Sequence, residues 1–286
     1  MKNYRLLIAF LLISNFIFAQ AITEDALLWK VTKDNQKAYL YGTIHISCNA
    51  NLDEQVEKAL AESDELMLEI DLSDPSLQMK MMQKMMLPDQ KDASDYLSDE
   101  DYKLLENYIN KNVKAIPTFA MIKNMKPILV SSLITQSLLT CDNKTGYDQL
   151  LLQKAQEKDM AISGLETLDD QMNALDDIPA KEVYNEIIES IKDDQQEDIE
   201  MLNQMMDDYN NKNLQSLKKL FEESDSVVND FTDVALDERN KNWIPVIKDK
   251  MEESQAFIAF GAAHLIGEQG VIQLLRSEGY EVTPAY

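Results

Sequence analysis

The chain holds two histidines, His45 and His264, and each closes a Gly-x-x-His: Gly42-Thr43-Ile44-His45 and Gly261-Ala262-Ala263-His264. Each tetrad follows an apolar run that reads as a buried strand. Imidazole is a common ligand for transition metals and a frequent general base. Glycine lets the backbone turn sharply at a strand end and approach a ligand closely. A single histidine reads equally well as a hydrogen-bonded structural residue. A scarce residue used twice in one local context, near opposite ends of the chain, points instead to one site built from both ends.

Three further groups could join that site. Glu69 sits in a mostly apolar stretch, Leu66 to Leu72, which also holds Asp71, and an ionisable group there costs free energy unless it is paired or bound to a metal; a strand-end residue facing water is the other reading. Glu166 follows a short apolar segment and Gly164, and could equally belong to the acidic first turn of a helix beginning near Thr167. Arginine is scarce, occurring at Arg5, Arg239 and Arg276. Within the pair Arg239-Asn240, the guanidinium could clamp a carboxylate or steady an oxyanion, or be a surface charge. Two histidines with one or two glutamates make a credible shell for a divalent metal. A compact H-E-x-x-H, a G-x-S-x-G elbow and a glycine-rich phosphate loop are absent from the sequence.

The elements that must position these groups can be read from periodicity. Leu27 to Val31 and Ala38 to Tyr41 predict two strands of a hairpin. Leu52, Val56, Ala59 and Leu60 recur at helical spacing, and Glu65 to Leu72 predicts a further strand, so that a strand–helix–strand unit with a parallel pair results. At the other end, Ala256 to Phe260 predicts a strand, Val271 to Leu275 a helix stopping at Gly279, and Tyr280 to Val282 a last strand. Ligand sites in open α/β sheets lie beyond the carboxyl ends of strands, where both histidines fall. The expected fold is mixed α/β: a central sheet built from both halves of the chain, with a large helical insertion over about residues 76–251 of a single domain, 21–286. Ala161 to Ser163 could add a short strand within that span.

Residues 1–20 read as a signal peptide, with Lys2 and Arg5 before the apolar run Leu6 to Ile13. An uncleaved anchor is the alternative. The mature chain is expected to be periplasmic or secreted and not inserted in a membrane. Its formal net charge of -24 opposes binding to nucleic acid. Cys48 and Cys141 are the two cysteines; in an exported protein they are expected to form a disulfide. A methionine cluster, Met79, Met81, Met82, Met85 and Met86, reads as adaptable helix packing or as a pliable groove for apolar peptide or lipid.

Together these pieces resemble the TraB/GumN family, which includes the TIKI proteases. The matching segments are Tyr41 to His45, Leu68-Glu69, Cys141 with Gly146-Tyr147-Asp148, Gly164 to Thr167 with Gln171, Glu238-Arg239-Asn240 with Trp243, and Phe260 to Leu265 through Gly279-Tyr280. The resemblance implies an exported metal-dependent hydrolase, acting on peptide or protein, with Mn, Co or Zn held by His45, Glu69 and His264. It also implies that Glu166, Arg239 and Asn240 contribute to the site. A non-catalytic protein binding haem, metal or a peptide signal on the same scaffold is the alternative, because fold does not guarantee activity.

Overall fold

The computed structural model describes residues 24–224 and 226–285; the expected signal peptide lies outside them. Six strands form one sheet: β1 (Leu28–Lys33), β2 (Gln36–Thr43), β4 (Glu65–Leu68), β6 (Ala161–Gly164), β7 (Ala256–Gly261) and β8 (Glu281–Pro284), in the order β6-β4-β7-β2-β1-β8. Two short strands, β3 (Ser47–Cys48) and β5 (Lys144–Thr145), pair separately. The fold is mixed α/β. β6, β4, β7 and β2 run parallel, and β1 turns antiparallel to both β2 and β8.

β2 and β4 form the expected parallel unit, with one addition. The C-terminal strand β7 is inserted between them, hydrogen-bonded to both. This insertion joins the two ends of the chain. Thr43 lies in register with Gly261, so the two Gly-x-x-His tetrads leave the same sheet edge from neighbouring strands. β4 stops at Leu68, earlier than the apolar pattern predicts, and Glu69 is the first residue beyond it. Ile70 does not continue the strand; it packs with Leu77, Leu168 and Met172 in a small separate cluster.

Eleven α-helices, with shorter 3-10 and π turns between them, complete the described chain: α1 (Glu54–Ala61), α2 (Leu77–Lys84), α3 (Asp99–Asn112), α4 (Pro127–Leu138), α5 (Tyr147–Glu157), α6 (Leu168–Asp176), α7 (Ala180–Lys192), α8 (Gln196–Asn210), α9 (Leu214–Glu223), α10 (Arg239–Glu253) and α11 (Val271–Ser277). Local chemistry sets several of their starts. The Asp53 side chain accepts from the Val56 amide at 3.1 Å and caps α1. Thr167 and Asp170 form a reciprocal capping box on α6. Pro127 opens α4, where its missing N–H costs no hydrogen bond.

The sheet core is closed by Trp29, Leu40, Leu66, Phe257, Phe260 and Trp243, all fully buried. A second apolar cluster, around Leu105, Phe119, Val130 and Tyr184, holds the helices of the middle segment together. One strand of the central sheet, β6, comes from within residues 76–251 and forms its edge beside β4. Among the described residues no helix is long and apolar enough to cross a membrane.

Candidate functional site

The carboxyl ends of the four parallel strands place His45, Glu69, Glu166 and His264 on one edge of the sheet. The two histidine loops pack against each other. A Cβ added at Gly42 would meet Leu265 Cδ1 at 2.6 Å and the Ala262 backbone at 3.1 Å, so glycine is what lets β2 pass this close to the second tetrad. Gly146 plays the same part on the other side. A Cβ there would lie 2.3 Å from the His45 carbonyl oxygen, and the next amide, of Tyr147, donates to the Ile44 carbonyl at 3.1 Å. This contact sets the N-terminus of α5 against the first tetrad.

Glu69 is buried and fully engaged. Its Oε1 accepts from the Gly261 amide at 2.8 Å, and its Oε2 accepts from Arg239 Nη2 at 2.6 Å and Gln171 Nε2 at 2.9 Å. Arg239 opens α10, directly after a π-helical turn over Asp233–Glu238. Such turns recur at functional sites because they displace side chains from the regular helical register. The guanidinium reaches four groups. Nε lies 3.0 Å from Glu166 Oε1, Nη2 bridges Glu166 and Glu69 at 2.6 Å each, and Nη1 meets the Ala235 carbonyl at 3.0 Å and His264 Nε2 at 3.3 Å. Trp243 Nε1 donates to Glu166 Oε2 at 3.1 Å, and the Trp243 ring lies beneath the guanidinium at 4.9 Å.

The hydrogen-bond network assigns the His264 tautomer. Asn240 Nδ2 donates to the Gln269 carbonyl at 2.9 Å, which turns Asn240 Oδ1 toward His264 Nδ1 at 2.6 Å. Nδ1 is therefore the protonated nitrogen, and Nε2 carries the lone pair that faces Arg239. Trp243 stacks on the ring at 4.4 Å. Burial pushes this imidazole down to about 3, with Arg239 and His45 adding to the effect against the pull of Glu69; His264 is neutral at pH 7.

His45 has the opposite setting. Its side chain is 73% exposed. Nδ1 meets Asp148 Oδ2 at 3.1 Å, and the other oxygen of that carboxylate accepts from Thr43 Oγ1 at 2.8 Å. The Asp148 hydrogen bond, opposed by desolvation and helped by the charge of Glu69, raises His45 to about 9. Solvent around the ring screens part of that field. Nε2 faces away from Asp148 and is open to a ligand.

The two carboxyls are also pushed apart. Burial alone would raise Glu69, but the positive field of His264, Arg239 and His45 and the Gly261 amide hold it down at about 2. Because His264 is itself neutral at pH 7, Arg239 and, behind it, His45 are the cations that sustain that field. Glu166 moves the other way: burial raises its carboxyl, and the hydrogen bonds and charge of Arg239 only partly offset it. A carboxylate pair with diverging acidity is a common basis for dividing proton-transfer roles.

All six residues expected from the sequence thus lie at one sheet edge, and five of them (Glu69, Glu166, Arg239, Asn240 and His264) share a continuous hydrogen-bond network. His45 stands beside that network, coupled through its field to Glu69 and His264. Asp148, Gln171 and Trp243 were visible only as matching letters, and their roles come from the structure. Asp148 orients His45, Gln171 orients Glu69, and Trp243 backs both Glu166 and His264. The Cys48–Cys141 disulfide, expected from composition, is formed and ties β3, just past His45, to the chain ahead of β5.

By donor chemistry these residues fit a divalent metal. Both imidazoles have Nδ1 committed to an outer partner, Nε2 of His45 is left for a ligand while Nε2 of His264 faces Arg239 Nη1 at 3.3 Å, and Glu69 is ionised. By position, Arg239 now supplies the positive charge on Glu69 and His264, and no three His, Cys, Asp or Glu among the described residues are gathered closely enough to hold an ion.

The profile of the TraB/PrgY/gumN family matches residues 27–284. The chain belongs to this family. Similar proteins include metalloprotease TIKI1 of Danio rerio, 24% identical over 91% of this chain and 64% of that protein. A metalloprotease TIKI homolog of Nematostella vectensis is 24% identical over 90% and 66%, and metalloprotease TIKI2 of Xenopus tropicalis 25% over 91% and 60%. The chain therefore spans under two thirds of the length of these relatives. No solved structure shows a significant match.

Proposed function

We propose that this chain is an exported metal-dependent hydrolase that cleaves peptide bonds. The observation that carries this reading is the meeting of the two Gly-x-x-His loops, from opposite ends of the chain, beside one buried network of Glu69, Glu166 and Arg239. The metalloprotease names of the relatives support the reaction class. The disulfide supports an oxidising compartment.

His45, Glu69 and His264 would hold the metal, with His45 giving up its proton to do so. When bound, a Mn, Co or Zn ion supplies Lewis acidity and a water of low pKa. The remaining work falls to the chain. Glu166, whose carboxyl burial raises, takes the proton from the attacking water and returns it to the leaving amine. Arg239 stays docked on Glu166 through Nε and faces the developing oxyanion through Nη1. Asn240 and Asp148 hold the imidazoles in their working tautomers.

The test is cleavage of a mixed peptide library by the purified protein, with and without each metal. Cleavage should fall by at least about a hundredfold in His264→Ala and in Glu166→Gln. Wild-type-like cleavage by both His45→Ala and His264→Ala, or no cut with any metal, would end this reading. One observation favours a non-catalytic binding protein instead: Arg239 already neutralises both carboxylates. Glu69→Gln separates the two, since an enzyme loses rate while a binder keeps or weakens its affinity.

A further inference from the structure

Beside the exposed face of His45 runs a groove of about 720 Å³. Its apolar wall is Leu77, Met81, Met82 and Met85 of α2 and the turn following it, opposed by Leu152 of α5. His45 and Asp148 line it as well. Gln78, Met81, Met82 and Met85 recur at helical spacing, so one face of α2 lines the groove. Met82 is 63% exposed and contributes to none of the apolar clusters; Met81 and Met85 each have one side against packed residues. An uncovered methionine face adapts to varied apolar side chains.

We propose that this groove is the substrate-binding subsite for an extended peptide segment with alternating apolar and basic residues, held next to the bond presented to His45. Three features choose the occupant. His45 lines the groove, so a chain lying in it passes the imidazole. Ser73, Gln78 and Gln149 also line it and can meet peptide amides, which a lipid chain would leave unused. No lysine or arginine lines it; Asp74 and Asp148 do, against the charge of His45 and of Lys80, which pairs with Asp74 at 3.3 Å, and the whole chain carries -24, so a basic segment is favoured and an acidic one repelled. Extended peptide side chains alternate in direction, which turns one set into the methionines and leaves the other to meet the acidic surface. That the occupant is cleaved rests on the hydrolase reading; that it binds does not.

The two are separated by measuring binding in EDTA, where turnover is off. The probes are short dye-labelled peptides of alternating Leu and Lys, or of alternating Leu and Glu, followed by fluorescence anisotropy with the full protein. The Leu/Lys peptide should bind and the Leu/Glu peptide should not. Met82→Lys should weaken Leu/Lys binding by about tenfold or more. Met79→Lys makes the same charge change on the same helix, at a 70% exposed position outside the groove, and should leave binding within about twofold. Equal weakening by both variants, or equal binding of both peptides, overturns the proposal. So does Met82-dependent sedimentation with phosphatidylcholine vesicles in place of peptide binding, or light scattering showing that Met82 instead joins two copies of the chain. Met82-dependent binding without cleavage in any metal would sustain the groove and sink the hydrolase. Cleavage indifferent to Met82 would do the reverse.

Discussion

The two Gly-x-x-His loops share a motif and a sheet edge, yet the protein builds them in opposite ways. The His264 loop is held by packing. Trp243 and Phe260 lie against its ring, Asn240 fixes its tautomer, and burial keeps it neutral. The His45 loop is held by a covalent tie and a carboxylate. Its ring faces solvent, Asp148 binds Nδ1, and the Cys48–Cys141 bridge anchors the chain three residues on. A shared motif therefore fixes where a side chain leaves the backbone, while its ionisation is set by what the rest of the fold places against it.

The largest expected effect tests the covalent half of this contrast. The disulfide spans a sequence separation of 93. In the chain-entropy account, removing it with Cys48→Ser and Cys141→Ser should cost up to about 4 kcal/mol. Urea unfolding measures the loss. Hydrogen exchange should then speed up around residues 44–49 more than around residues 261–265; equal acceleration in both loops would erase the distinction drawn between them.

The histidines themselves come next. His264→Ala removes a buried ring and leaves Asn240 Oδ1 without its donor, so a loss of about 2 to 3 kcal/mol is expected. His45→Ala removes an exposed ring whose pair with Asp148 is screened by solvent and should change stability near pH 7 by less than about 1 kcal/mol, while abolishing peptide cleavage if the proposed function holds. Similar stability losses in the two variants would show that the packing contrast has no energetic content.

That contrast was only half legible in the amino-acid sequence. The tetrads, the flanking apolar runs and the acid at Glu69 between Leu68 and Ile70 have local signatures, and the mixed α/β fold follows from them. The insertion of β7 between β2 and β4 has none. It pairs residues about 190 positions apart with β4 and about 220 apart with β2, and no periodicity specifies which strand of a sheet is a neighbour. The end of β4 was misplaced because Ile70 and Leu72 continue the apolar pattern, although they pack beside α2 and α6 rather than in the sheet. Asp148 was invisible as a partner for a different reason. An acid in the first turn of a helix is ordinarily explained by the helix dipole, so nothing in its position announces a hydrogen bond to a histidine in a distant strand.

The pH dependence of stability should have two arms of different origin. His264 falls from the ordinary value near 6.5 to about 3 on folding. The unfolded chain takes up a proton that the folded chain refuses, so this arm is lost as pH falls from about 6.5 toward 3. His45 rises to about 9; its contribution is complete below about 6.5 and is lost as pH rises through 9. Melting temperatures across pH should therefore show a flattened acid arm in His264→Asn and a flattened alkaline arm in His45→Asn. The acid comparison belongs between about pH 5 and 6.5, above the range in which Glu69 begins to contribute. Both variants flattening the same arm would contradict the assignment of opposite shifts.

The smallest effect isolates the cause of one shift. Asp148→Asn keeps the size of the side chain and its link to Thr43 while removing the charge opposite His45. With a neutral amide in place of the carboxylate, the His45 proton should leave at lower pH, toward the ordinary value near 6.5, and an NMR titration of the His45 ring reads this directly. His264 should not move, because its ring is governed by burial and Arg239 rather than by Asp148. Stability near pH 7 should change by less than about 1 kcal/mol, since the ring is exposed and the pair is screened. If the proposed hydrolase is active, its pH profile should broaden on the acid side, because a less basic His45 yields its proton to an incoming metal more readily. A titration in which both rings shift together would mean that the two loops form one coupled electrostatic unit, and the separate means by which each is held would then have no bearing on how each ionises.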